Sequence, residues 1–157
     1  MTSRAHARKV PAYSIHSEKV LLGSILADPS LAKPMAEILG SSEVFFRLEN
    51  ARMYETIIEL CDRHSPATTN DLFHAIQAHG KIDALGGETA LRNLVLEKPN
   101  LKEAQEHANT ILSKHNMRNL IDAMSDSLND AYHSTDGYIA VIKRSQERLA
   151  KLEQAGE

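Results

Sequence analysis

The sequence contains no tryptophan and a single cysteine, and aromatic residues make up only 4% of it. β-sandwiches and barrels lean on aromatic and β-branched residues, so so lean an aromatic content points away from them and toward helices. One cysteine, Cys61, excludes an internal disulfide and fits a reducing, cytoplasmic setting, where it reads as a small buried hydrophobe. There is no apolar run of the roughly 18–20 residues that a membrane span needs. The opening MTSRAHARKV has basic residues with no apolar stretch behind them, which excludes a signal peptide. A basic excess is also missing: 18 Lys and Arg stand against 21 Asp and Glu, a net charge of −3. Duplex-DNA binders draw most of their affinity from phosphate neutralisation, so this balance argues against one. The only basic cluster is Arg4, Arg8 and Lys9, in an arm over residues 1–13 read as disordered and solubilising, with at most weak contact to nucleic acid.

What is present is a sequence of 157 residues with 42% hydrophobic content, enough for one domain and a real core. Its punctuation is helical. In IHSEKVLLGSIL, Ile15, Leu22, Ile25 and Leu26 share a helical face that Val20 and Leu21 broaden, and the spacing predicts an amphipathic helix over 17–27. Gly23 lies inside it, at a cost of about 1 kcal/mol relative to alanine, which suggests that another backbone packs closely there. Asp28-Pro29 ends that helix. Further helices are expected over 31–39, stopped by Gly40, and over 48–64, with Met53, Ile57, Leu60 and Cys61 inward. Between them SSEVFF makes a short turn capped by Ser41 or Ser42, with Phe45 and Phe46 plugging the core. Thr68 and Asp71 have capping-box spacing before a helix that carries Leu72, Phe73 and Ile76 inward and ends at Gly80. A short helix over 87–96 follows the turn-rich KIDALGG.

After Pro99 no Gly or Pro appears until Gly137. That allows one helix from Leu101 to about Tyr132, its apolar stripe running through Met117, Leu120, Met124, Leu128 and Ala131. HSTDG makes a turn, and a last helix over 137–153 carries a heptad-like seam of Tyr138, Ile142, Ser145, Leu149 and Leu152. The expected architecture is all-α: a helical globule over 14–99, then an antiparallel hairpin over 100–155 whose helices face each other through apolar side chains. Two helices alone bury too little to be stable. The hairpin either folds back on the first hundred residues or pairs with another copy into a four-helix bundle, the more economical use of so long a seam.

Catalytic patterns are missing. The only Gly-Lys pair, Gly80-Lys81, has Ala75 where a phosphate-binding loop needs glycine and Ile82 where it needs Ser or Thr. None of the eight histidines forms an H-E-x-x-H pair, His74 and His79 are splayed by their spacing, and all read as solvated helix residues. No G-x-S-x-G elbow is present. KRSQERLAKLEQ reads as a solvated helix face. The expectation is a non-enzyme with no metal and no cofactor.

PAYSIHSEKVLLGSILADPSL resembles the opening of the N-terminal domain of DnaB-type replicative helicases, carried by Pro11, Ile15, Ser17-Glu18-Lys19, Leu22-Gly23 and Ile25-Leu26. Val44-Phe45-Phe46 is similar to the family's Asp-Phe-Tyr, Pro66 to its Gly-x-Pro segment, and Gly80, Ile82, Gly86 and Gly87 to its glycine-rich turn. His107 to Ile111 and Arg118 to Ile121 match later stretches in order. Asn50 stands where the family usually has His and Thr68 where it has Asp, and both neighbours of Glu18 differ, which marks a diverged relative. The resemblance implies a helical globule and a hairpin. Hairpins of neighbouring subunits would pair, with three such dimers forming a collar that recruits the helicase-binding domain of primase. The implied partners are a second copy (dimer or trimer of dimers), primase, and a helicase loader or full-length helicase, with no membrane. The self-association surface is expected at Leu120, Met124, Leu128, Tyr138, Ile142 and Leu149, and the structural motif at Ile15, Glu18, Leu22, Gly23, Phe45, Gly86, Gly87 and Arg118. In the family a linker and an ATPase domain follow. This sequence holds neither, so it reads either as the collar domain of a helicase or as a free-standing regulator that binds a helicase collar.

Overall fold

Local capping and chain-breaking residues set the elements of the computed structural model, which describes residues 12–156. The basic arm at Arg4, Arg8 and Lys9 lies outside the described residues. Among those described there are seven α-helices and no strand: α1 (Ile15–Ala27), α2 (Ala32–Leu39), α3 (Leu48–His64), α4 (Thr69–Ala78), α5 (Glu88–Leu94), α6 (Leu101–His133) and α7 (Tyr138–Ala155). Ser14 caps α1 by accepting from the Ser17 amide, 3.2 Å. Asp28, held extended before Pro29, ends α1 and caps the 3₁₀ turn Pro29–Leu31 through Ser30, whose hydroxyl donates at 2.6 Å. Thr68 and Asp71 form the reciprocal box that their spacing predicts: the hydroxyl accepts from the Asp71 amide (3.1 Å) and the carboxylate from the Thr68 amide (3.2 Å). Gly86 and Gly87 turn the chain into α5 with φ of +99° and +93°, conformations that side-chain-bearing residues rarely adopt.

Contacts divide the described residues into two units, residues 13–113 and residues 114–156 together with Ala12. The division falls inside α6, because Ala104, Ala108 and Ile111 are buried in the globular unit's core.

In the globular unit α1 is the central helix. The expected single apolar face is corrected here: Ser17, Glu18 and the whole run Leu21–Leu26 are buried, while Ile15 and Val20 are only half-buried. Helices α3, α4 and α5 surround α1, so it buries most of its circumference instead of one stripe. Met35, Ile57, Leu72, Ile76 and Leu91 complete the core. Of the two phenylalanines expected to plug the core, only Phe45 does, tilted against Tyr54 with ring centroids 4.9 Å apart. Phe46 remains 38% exposed and stacks on Tyr13 at 4.3 Å.

Candidate self-association surface

Two close approaches hold α1 in the globular unit, and both involve residues of the expected structural motif. The first is at Gly23. Its carbonyl accepts from the Leu96 amide at 3.1 Å, so the segment leaving α5 lies directly on α1. A Cβ on Gly23 would overlap the Leu94 carbonyl oxygen and stand 3.2 Å from its carbon. The backbone that makes the glycine necessary is therefore residues 94–96 of the same chain. The second is at Glu18, a carboxylate that is 1% exposed. It accepts from the Phe46 amide (2.7 Å), the Arg47 amide (3.3 Å) and the Asn50 side chain (2.9 Å). No side chain of α3's own N-cap does this work, so α1 caps α3 from 28 residues away and sets negative charge at its positive end. Asn50 is the side-chain donor in this cluster.

Leu22 and Phe45 lie in the core, and Arg118 donates to the Ala12 carbonyl at 2.8 Å. The histidines are not all merely solvated. His107 Nδ1 is 2.9 Å from the buried Ser17 hydroxyl, and His64 and His79 meet Nε2 to Nε2 at 2.9 Å. Among the described residues no three His, Cys, Asp or Glu side chains come together as a metal-binding group. A cavity of about 590 Å³ on the globular unit is lined by Pro29, Ala32, Ala36, Ile58 and Cys61, with Lys33, Glu59 and Asp62 among its charged residues. Burial pushes the Cys61 thiol up to about 11, which keeps it protonated near neutral pH.

The second unit is the hairpin of α7 against the later part of α6. Here the expected arrangement is corrected: the side chains that bridge the two helices near the turn are polar, and most of the apolar ones face out. Arg144 donates through Nε and Nη2 to both oxygens of Asp130, each at 2.8 Å, and through Nη1 to Asp136 at 3.1 Å. Arg148 donates to Ser127 at 3.0 Å and to Asp130 at 3.3 Å. The hydrogen bond from Arg144 holds the Asp130 carboxyl below the usual carboxylate range, with Arg148 adding to the effect. Arg144 and Arg148 thus reach across to α6 and are not part of the solvated face that their sequence suggests. On that side of α6, Ala123 and Leu120 lie one and two turns before Ser127 and are half-buried, as are Val141, Ser145 and Leu152 on α7.

Outward-facing residues are strongly apolar. Met117, Ile121, Met124, Leu128 and Tyr132 follow steps of 4, 3, 4 and 4 on α6, and Tyr138, Ile142 and Leu149 steps of 4 and 7 on α7. Met124 is 59% exposed and Tyr132 and Tyr138 are 77% and 76% exposed, and no residue of α7 is fully buried. Of the six expected interface residues, Met124, Leu128, Tyr138, Ile142 and Leu149 are exposed and Leu120 is half-buried. Asp130, Arg144 and Arg148 were not legible as a site: their partners lie on two different helices, and the turn between α6 and α7 interrupts the helical period across the separations of 14 and 18.

Residues 10–113 match the family described as the DnaB-like helicase N terminal domain. The chain belongs to that family. The relatives of this DnaB-like domain include the replicative DNA helicase DnaB of Geobacillus stearothermophilus, 22% identical over 152 residues and matched over 97% of this chain and 33% of its own length. The replicative DNA helicase DnaC of Bacillus subtilis is 20% identical over 146 residues, covering 93% of this chain and 32% of that one. The chain thus spans about a third of the length of these curated relatives. The crystal structure of the N-terminal domain of DnaB helicase from Mycobacterium tuberculosis is similar in fold, with a TM-score of 0.71 and 22% identity, covering 90% of this chain and 99% of that one. Among the described residues no helix is long and apolar enough to cross a membrane.

Proposed function

We propose that this DnaB-like domain is a non-catalytic collar and recruitment module of a replicative DNA helicase, working in the cytoplasm. Its hairpin pairs with the hairpin of a second copy, and the paired domains dock primase through the primase's helicase-binding domain. The observation that carries the pairing is the apolar stripe on both hairpin helices, left uncovered while the globular unit has a closed core. Exposed apolar surface of this extent on a folded unit marks an interaction site. α7 is about 27 Å long at 1.5 Å per residue, enough to bring Tyr138, Ile142 and Leu149 into one continuous contact with a partner helix. Family membership supplies the context of replication.

Light scattering behind a sizing column, over a range of concentrations, tests the pairing. A dimer or a six-copy species is expected, and Leu149→Glu or Met124→Glu is expected to give a monomer with unchanged helicity. A wild-type chain that stays monomeric at high concentration would overturn self-association. Mixing with primase on the same column tests recruitment, and co-elution that survives Leu149→Glu would place primase away from the pairing stripe.

A further inference from the structure

We propose that Arg144 and Arg148, clasped on Asp130, are the positioning residues that fix the register of α7 on α6 and so align the outward apolar residues into one docking stripe. The proposal rests on the self-association reading above. Apolar contacts alone are a poor guide to register, because they have no direction and tolerate sliding. Little apolar burial is available for the task here, since α7 buries no residue fully. A slip of one residue turns a helix by about 100°, which would carry Ile142 and Leu149 off the stripe.

The clasp has the direction that apolar packing lacks. The Arg144 fork meets both oxygens of Asp130 at 2.8 Å, and the same guanidinium reaches Ser134 (3.0 Å) and Asp136 (3.1 Å) in the turn. Arg148, one turn further along α7, holds Ser127 and the same Asp130. The Asp130 side chain is only 16% exposed, so these charged bonds are partly shielded from solvent. Bidentate arginine–carboxylate pairs are geometrically specific, and a lysine could not reproduce them. Two arginines one turn apart, converging on one carboxylate, leave α7 one rotational setting.

The test combines Arg144→Gln with Arg148→Gln in the full chain. Spin labels are placed at Ser125 and Glu147 in a Cys61→Ser background and diluted with unlabelled chain. A double Lys143→Gln and Lys151→Gln variant changes the net charge equally and leaves the clasp intact. The clasp variant is expected to keep its helical circular dichroism, to broaden a narrow label distance into several, and to self-associate at least ~10-fold more weakly, the scale of one charged hydrogen bond. The lysine variant is expected to change neither reading. A clasp variant that keeps the narrow distance overturns the proposal, as does one that broadens while its association constant holds, or a lysine variant with the same loss. A wild-type chain that never associates refutes the self-association reading itself, and is recognised without any variant.

Discussion

Gly23→Ala places one methyl group where the backbone of residues 94–96 already lies. Two effects of opposite sign compete. Alanine favours the helix over glycine by about 1 kcal/mol, and position 23 is mid-helix, so propensity alone predicts stabilisation. Against this, the new Cβ would overlap the Leu94 carbonyl oxygen, and the neighbour that must yield is backbone, not the end of a flexible side chain. Overpacking of that kind costs typically about 1–3 kcal/mol. Relief requires the segment to move off α1, which breaks the 3.1 Å bond from the Leu96 amide to the Gly23 carbonyl and removes about another 1 kcal/mol. The expected balance is a loss of about 2 kcal/mol, or a fall in Tm of roughly 4–8 °C for a chain of this size. Urea titration followed by circular dichroism measures it, with Lys19→Ala on the exposed side of α1 as the control. A Gly23→Ala protein more stable than wild type would show that residues 94–96 do not press on α1, and the packing explanation of the glycine would fall.

Three further outcomes are expected. Glu18→Ala takes the acceptor from the Phe46 and Arg47 amides and from Asn50, and is expected to cost about 2–4 kcal/mol, readable as a lower urea midpoint; a midpoint within error of wild type would deny α1 its capping role. Cys61, with its thiol raised by burial, should react with iodoacetamide at pH 8 roughly 100-fold more slowly in the folded chain than in urea, and equal rates would place the thiol at the surface. Stability should also fall in alkali. Burial raises Cys61 from 9.0 to about 11 and Tyr54 from 10.0 to about 12, so above pH 9 the unfolded chain releases protons that the folded chain retains. This contribution is complete below about pH 9 and is lost as pH rises through 11 and 12. A urea midpoint equal at pH 8 and pH 10.5 would contradict it.

Much of the helical skeleton was legible in the residues because its causes are local. Pro29, Pro66 and Pro99 break the chain where the helices stop or fail to continue, and Thr68 with Asp71 caps α4 within one turn. The run without Gly or Pro from Asn100 to Asp136 contains the whole of α6. These effects act over a few residues, so spacing alone reveals them. Gly23 announced a close approach, because a mid-helix glycine is costly unless something occupies the space of its side chain. Which backbone came close was decided by the packing of α5's exit on α1. Glu18 gave no sign that it would cap α3, since its partners lie 28 to 32 residues on and meet it only when the core closes. The hairpin shows the same division. Its two helices and their apolar stripes follow from a period of 3.6 residues, but a period cannot say which neighbour a stripe faces. Tertiary structure assigned the inner side near the turn to Asp130, Arg144 and Arg148, whose directional bonds satisfy charges that would otherwise be half-shielded and alone, and left Met124, Leu128, Ile142 and Leu149 to face outward.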